Sequence, residues 1–148
     1  MGESDHYILN VTQSWRGKDS TGKVLPLHWA LTIRTAGTGS HPHGNIYNAA
    51  GNIDTFSYEV LHDVPLTNAN WRGDLTVGTI KKEDLPMVED ILSKVPTVRH
   101  DFKWNCQNWI WAALRELRFS NVSIETLTWE RLKSEMDDLL EAWENGDI

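Results

Sequence analysis

An α+β fold in a single domain is what the order of patterns along the chain predicts. Short β-rich runs separated by Gly, Pro and Asn fill the first two thirds, and apolar residues at helical spacing fill the last third. The 148 residues read as one unit, 1–148, large enough to fold on one core without a metal or a disulfide. Neither a repeat nor a linker divides it.

Taken in order, "YILNVTQ" from Tyr7 to Gln13 is the first β run, and the turn-rich "SWRGKDSTGKVLP" follows it. "HWALTIR" from His28 to Arg34 is the second; its alternation sets Trp29, Leu31 and Ile33 on one face and His28, Ala30 and Thr32 on the other. After the loop "AGTGSHPHG" come "NIYNAA" (Asn45 to Ala50), "TFSYEVL" (Thr55 to Leu61) and "LTVGTI" (Leu75 to Ile80), further strands of an antiparallel sheet. From "KKEDLPMVEDILSKV" the period changes, with Pro86 in a first helical turn and Val95-Pro96 as the stop. A second helix opens at Asn105 or Cys106, with Trp109, Ile110, Ala113, Leu114 and Leu117 as its apolar stripe. The third follows Thr128 as N-cap, with Trp129, Leu132, Met136, Leu139, Leu140 and Trp143 on one side and a mostly acidic surface elsewhere.

Charge and composition narrow the function classes. With 14 basic against 21 acidic residues the net charge is −7, no Lys/Arg cluster interrupts it, and nucleic acid is not an expected partner. No apolar run approaches a membrane span. One cysteine cannot form an internal disulfide, and "MGESDHYILN" has neither the basic start nor the apolar run of a secretion signal. A reducing, cytoplasmic location is the expectation. "MGESDH" lacks the Ser or Thr that would complete a myristoylation pattern. "GTGSHPHG" leads into a strand rather than a helix, and "DSTGKV" lacks the Ser or Thr and upstream glycine of a phosphate loop. His41 and His43, even with His6 or His62, fit no first shell of a metal. No cofactor or metal is called for.

The chemistry concentrates in "FKWNCQNWIW", which sets Cys106 where a helix begins. Free cysteine is usually a small buried hydrophobe. At a helix N-terminus, however, unpaired N–H groups and the macrodipole favour the thiolate, which predicts a thiol pKa below its ordinary range. The same donors suit an oxyanion. Of the histidines, His28 stands at the start of a strand, on a face that Ala30 and Thr32 keep small. Taken alone, it reads more simply as a satisfied strand-end histidine. Asn48 is a candidate to orient its ring or, equally, to satisfy local backbone. A hairpin folded near Thr38 sets His28 opposite Asn48; one folded at Ser40 sets it opposite Asn52.

"HWALTI", a polar strand end about twenty residues later, and then "NCQNW" together resemble the permuted papain-like thiol enzymes. These include the lecithin:retinol acyltransferase and NlpC/P60 relatives, with motifs His-Trp-Ala-aliphatic and Asn-Cys-x-His-aromatic. The resemblance covers two short blocks, His28 to Asn48 and Asn105 to Trp111. Asn48 stands where those acyltransferases have a second histidine, and Asn108 where their cysteine motif has one. "NCQNW" is also similar to the Asn-Cys-Asn-His-Phe of small permuted isopeptidases that remove ubiquitin-like modifiers.

What the resemblance implies is an antiparallel sheet packed against helices, and acyl transfer through a thioester. Cys106 is then the nucleophile, His28 the base and Asn48 the orienting residue, with the Cys106 N–H helping to hold the oxyanion. A small-molecule or peptide acyl substrate is the implied partner; water as acceptor gives a hydrolase, an amine or alcohol a transferase. Two other expectations stand beside it. One is a catalytically idle binding module with Cys106 in the core and some of its eight tryptophans at a binding surface; Trp111 then lines a cleft or, more simply, packs the last helix. The other is an interaction protein that docks a basic partner through the acidic C-terminal helix.

Overall fold

The computed structural model describes residues 5–148; the Met-Gly start weighed above for lipidation lies outside them. The architecture is α+β: a six-stranded antiparallel sheet in the order β4-β3-β2-β1-β5-β6, and three α-helices. The strands are β1 (His6–Ser14), β2 (His28–Gly37), β3 (Pro42–Ala50), β4 (Ser57–Pro65), β5 (Trp71–Lys81) and β6 (Ser123–Ile124). A 3-10 turn, Lys82–Asp84, leads into α1 (Leu85–Ser93); α2 is Cys106–Phe119 and α3 is Trp129–Glu144.

Each strand read from alternation is present, most of them a few residues longer than the pattern alone marks. β6 was not anticipated, because two residues carry no period. It pairs with Gly78 and Thr79 of β5, and it can do so because a side chain at Gly78 would strike the Ser123 carbonyl oxygen. The turn between β2 and β3 lies between the two registers considered above. Leu31 faces Tyr47 and Ile33 faces Asn45, which sets Asn48 level with Ala30 rather than with His28.

The link from β4 to β5 passes β3, β2 and β1. At about 4.8 Å per strand that is a traverse of roughly 19 Å, and the link must also return along the sheet, from Pro65 beside His43 to Trp71 beside Ser14, whereas the chain between them reaches only about 21 Å fully extended. A flat sheet could not be joined this way, so the sheet is strongly coiled.

Trp29, Leu31, Ile33, Leu9, Val11 and Tyr47 form the core with Trp109, Ile110, Ala113 and Leu117 of α2 and with Leu132 and Met136 of α3. Tyr58 stacks against Trp109, and Trp29 against Trp129, which places both helices on that apolar face. Trp111 meets Trp129 edge to face, so it packs the last helix. On the other face Ala30, Thr32 and Thr12 are buried. There the Thr12 hydroxyl bonds Thr32 at 2.8 Å and donates to Asp74 at 2.7 Å. Among the described residues no helix is long and apolar enough to cross a membrane.

Candidate functional site

β2 stays paired with β1 as far as His28 opposite Ser14, whereas its ladder with β3 starts only at Leu31 opposite Tyr47. The first residues of β2 therefore have a neighbouring strand on one side only, and their remaining backbone groups need other partners. The start of α2 supplies them. Gln107 Nε2 donates to the Leu27 carbonyl at 2.9 Å, and Cys106 Sγ lies 4.0 Å from the same oxygen. The Trp29 N–H also faces the sulfur. Cys106 is thus lodged against the backbone on both sides of His28, although it is nearly eighty residues away in sequence.

The motif around the cysteine divides its labour residue by residue. Asn105 is the N-cap: its side chain accepts from the Gln107 N–H at 2.8 Å, and its carbonyl from the Asn108 and Trp109 N–H groups. Asn108 returns the bond, its Oδ1 accepting from the Asn105 N–H at 2.9 Å. That reciprocal cap is the work of the position where the resembled families carry histidine. The Cys106 and Gln107 N–H groups lie against the sulfur.

His28 and Asn48 are together. The ring Nε2 and the amide Oδ1 are 3.0 Å apart. They meet as diagonal neighbours on one face of the sheet, not as the directly opposed pair of the Thr38-centred hairpin. Glu59, opposite Asn48 on β4, determines which way the amide points. A carboxylate only accepts hydrogen bonds, so Asn48 must turn its Nδ2 toward Glu59, where it donates to Oε1 at 3.2 Å. Oδ1 is left for His28, which must then donate from Nε2. The lone pair falls on Nδ1. Nδ1 has no hydrogen-bond partner among the described residues, and no sealed side-chain nitrogen there lacks one, so Nδ1 keeps some access to solvent.

Burial pushes the Cys106 thiol above its ordinary value; the Trp29 N–H, the Arg16 guanidinium and the Gln107 and Cys106 N–H groups pull it down and are outweighed. The expected depression of the thiol pKa is therefore corrected. Cys106 has no exposed surface, and desolvation of a thiolate outweighs the helix N-terminus. Burial and then Arg16 push the His28 imidazole below its ordinary range, while Asn48 and Glu59 support the charged form less strongly. Near neutral pH both directions favour the uncharged forms, a neutral thiol and a neutral imidazole.

Arg16, Glu59 and Gln107 are the members that sequence reasoning missed. Their signal lay in the tertiary pairing of β3 with β4 and in the gap between β2 and β3, and neither has a local pattern. The histidines weighed as metal ligands lie elsewhere: His41 bonds Ser40, His43 bonds the His41 carbonyl and His62 bonds Glu89. An open groove of about 660 Å³ bordered by Tyr7, Arg34 and Lys82 also lies away from the cysteine.

No curated protein and no solved structure matches the chain. One family model does, and its match over residues 18–122 takes in His28, Asn48, Glu59 and Cys106 and stops short of α3. The chain belongs to DUF6540, a family of unknown function.

Proposed function

We propose that this protein is a cysteine-dependent acyl-transfer enzyme on a permuted papain-like scaffold, with Cys106 as nucleophile, His28 as base and acid, and Asn48 as the residue that orients the ring. The observation that carries the reading is the 3.0 Å bond from His28 Nε2 to Asn48, which leaves Nδ1 as the ring's proton acceptor, while the sulfur of Cys106 is lodged against the backbone of the neighbouring Leu27 and Trp29. The order of a strand histidine, a strand asparagine and a helix-opening cysteine supports the same reading.

The step balances within these groups. Nδ1 takes the thiol proton as sulfur adds to the acyl carbonyl, and the oxyanion is met by the Cys106 N–H. Collapse breaks the bond to the leaving group, which departs with the proton from Nδ1, and a thioester remains on Cys106. Water, an amine or an alcohol then adds to the thioester, giving its proton to Nδ1, and the thiol is restored as the acyl group leaves. A neutral resting pair suits this sequence, since the proton moves only when a carbonyl is present. Cys106 has no exposed surface, so substrate reaches it only as the surrounding segments part.

A small activated ester such as 4-nitrophenyl acetate tests the reading by intact mass. One acetyl group is expected on Cys106 of the native protein and none on Cys106→Ala. His28→Ala should slow acylation by about 10²- to 10⁴-fold, the usual contribution of general base catalysis. The burial of Cys106 within the core cluster favours one second reading, an idle binding module in which the thiol only packs. Acylation that begins only on unfolding would establish that reading and overturn the first.

A further inference from the structure

Arg16 crosses the site. It follows Ser14, the partner of His28 on β1, by two positions, and its Nη2 lies 3.4 Å from the carbonyl oxygen of Gly51, just past the end of β3. β2 lies between those strands, so the side chain passes over the first residue of β2, where Cys106 is lodged. No carboxylate among the described residues pairs with it, although the chain carries 21 acidic groups. A guanidinium that is half-buried and holds only one long bond to a carbonyl has its remaining donors open. One such group balances one negative charge and matches the two oxygens of a carboxylate.

We propose that Arg16 selects acyl substrates that carry a carboxylate close to the reacting carbonyl, an inference that rests on the acyl-transfer reading above. The carboxylate docks on the guanidinium and brings the carbonyl to Cys106. Docking also neutralises the cation that weakens His28 as a base. The base therefore strengthens when a substrate of the right charge arrives.

Two alkylating reagents of nearly equal size, iodoacetate and iodoacetamide, test this directly on the folded full chain. Rates at Cys106 are read by intact mass, and each protein's iodoacetate-to-iodoacetamide ratio is compared with that of a free thiol such as glutathione. The wild-type ratio should exceed the free-thiol ratio. Arg16→Gln should lower it about tenfold, the loss of one charge-assisted hydrogen bond, and Arg16→Lys should fall between. Taking the ratio cancels any change in thiol ionisation, which acts on both reagents alike. If both reagents react and the ratio is the same in wild type and Arg16→Gln, the role of Arg16 is overturned while the acyl-transfer reading stands. If neither reagent reaches Cys106 in the folded chain, the acyl-transfer reading fails and the selection by Arg16 fails with it.

Discussion

Tyr47 and Asn48 are consecutive in β3, their side chains leave the sheet on opposite faces, and each ends in a network with a histidine. The Tyr47 hydroxyl donates to Glu89 of α1 at 2.6 Å, and the same carboxylate oxygen lies 2.7 Å from His62 Nε2. Asn45 Nδ2 donates to the Tyr47 oxygen. In that network each group has a partner of complementary kind, and the result is a clamp between sheet and helix. On the Asn48 face the chain of bonds runs from Glu59 to Asn48 to His28 and then stops. Nδ1 is open, the Cys106 thiol is lodged against the backbone on either side of this histidine, and the Arg16 cation has no carboxylate partner among the described residues. Closed networks rigidify; a network left open at a ring nitrogen has capacity to accept a proton or a ligand.

The sharpest way to break this contrast is to remove one member from each face. Asn48→Ala should lower the rate of Cys106 acylation about tenfold, the worth of one orienting hydrogen bond, with a modest change in stability. Tyr47→Phe should do the reverse, costing about 1.5–3 kcal/mol of unfolding free energy for a bond to a charged group and leaving acylation where it was. Acylation kinetics and urea unfolding check both. Equal losses of rate from the two variants would erase the distinction between the faces.

Acidification should sharpen it next. The folded His28 lies below its ordinary value of 6.5, through burial first and Arg16 second, so the unfolded chain binds the proton more readily. Its contribution to stability is therefore present above about pH 6.5 and falls away as the pH drops toward the folded value. Glu89 behaves alike in sign but lower on the scale. Burial raises its pKa, yet the bonds from Tyr47 and His62 more than offset that and hold it below its ordinary 4.5. Stability measured by denaturant at a series of pH values should thus decline in two windows, the upper one absent in His28→Gln and the lower one reduced in Glu89→Gln.

The smallest effect is expected at Glu59. Glu59→Gln replaces an acceptor-only group with one that can also donate, so the Asn48 amide loses its reason to point Oδ1 at His28. A loss of roughly 1 kcal/mol, about fivefold in rate, should accompany growth of the other imidazole tautomer, visible in the ring nitrogen shifts of His28. An unchanged tautomer would show that Asn48 is held by something other than Glu59.

Local pattern made much of this legible. The alternation in "HWALTIR" marks β2 and its two faces, the stripe from Trp109 to Leu117 marks α2, and Thr128 caps α3 with its Oγ1 on the Arg131 N–H at 3.0 Å. These rest on interactions a few residues long, which a sequence displays directly. The candidate site was legible only in part. Cys106, His28 and Asn48 were marked by residue type and position, but their register was not, because a hairpin slipped by two residues keeps every side chain on the same face and so has nearly the same sequence signature.

What the chain determined unaided is therefore the kind of elements, their order, and the residues with chemistry to offer. Their state was decided only by tertiary structure. Helix-start amides alone would have made Cys106 acidic, but packing α2 into the gap between β2 and β3 took the sulfur out of water, and the desolvation of a charge outweighs a few aligned N–H dipoles. Arg16 and Glu59 became part of the site for the same reason: coiling and strand pairing bring together groups that no short-range pattern connects.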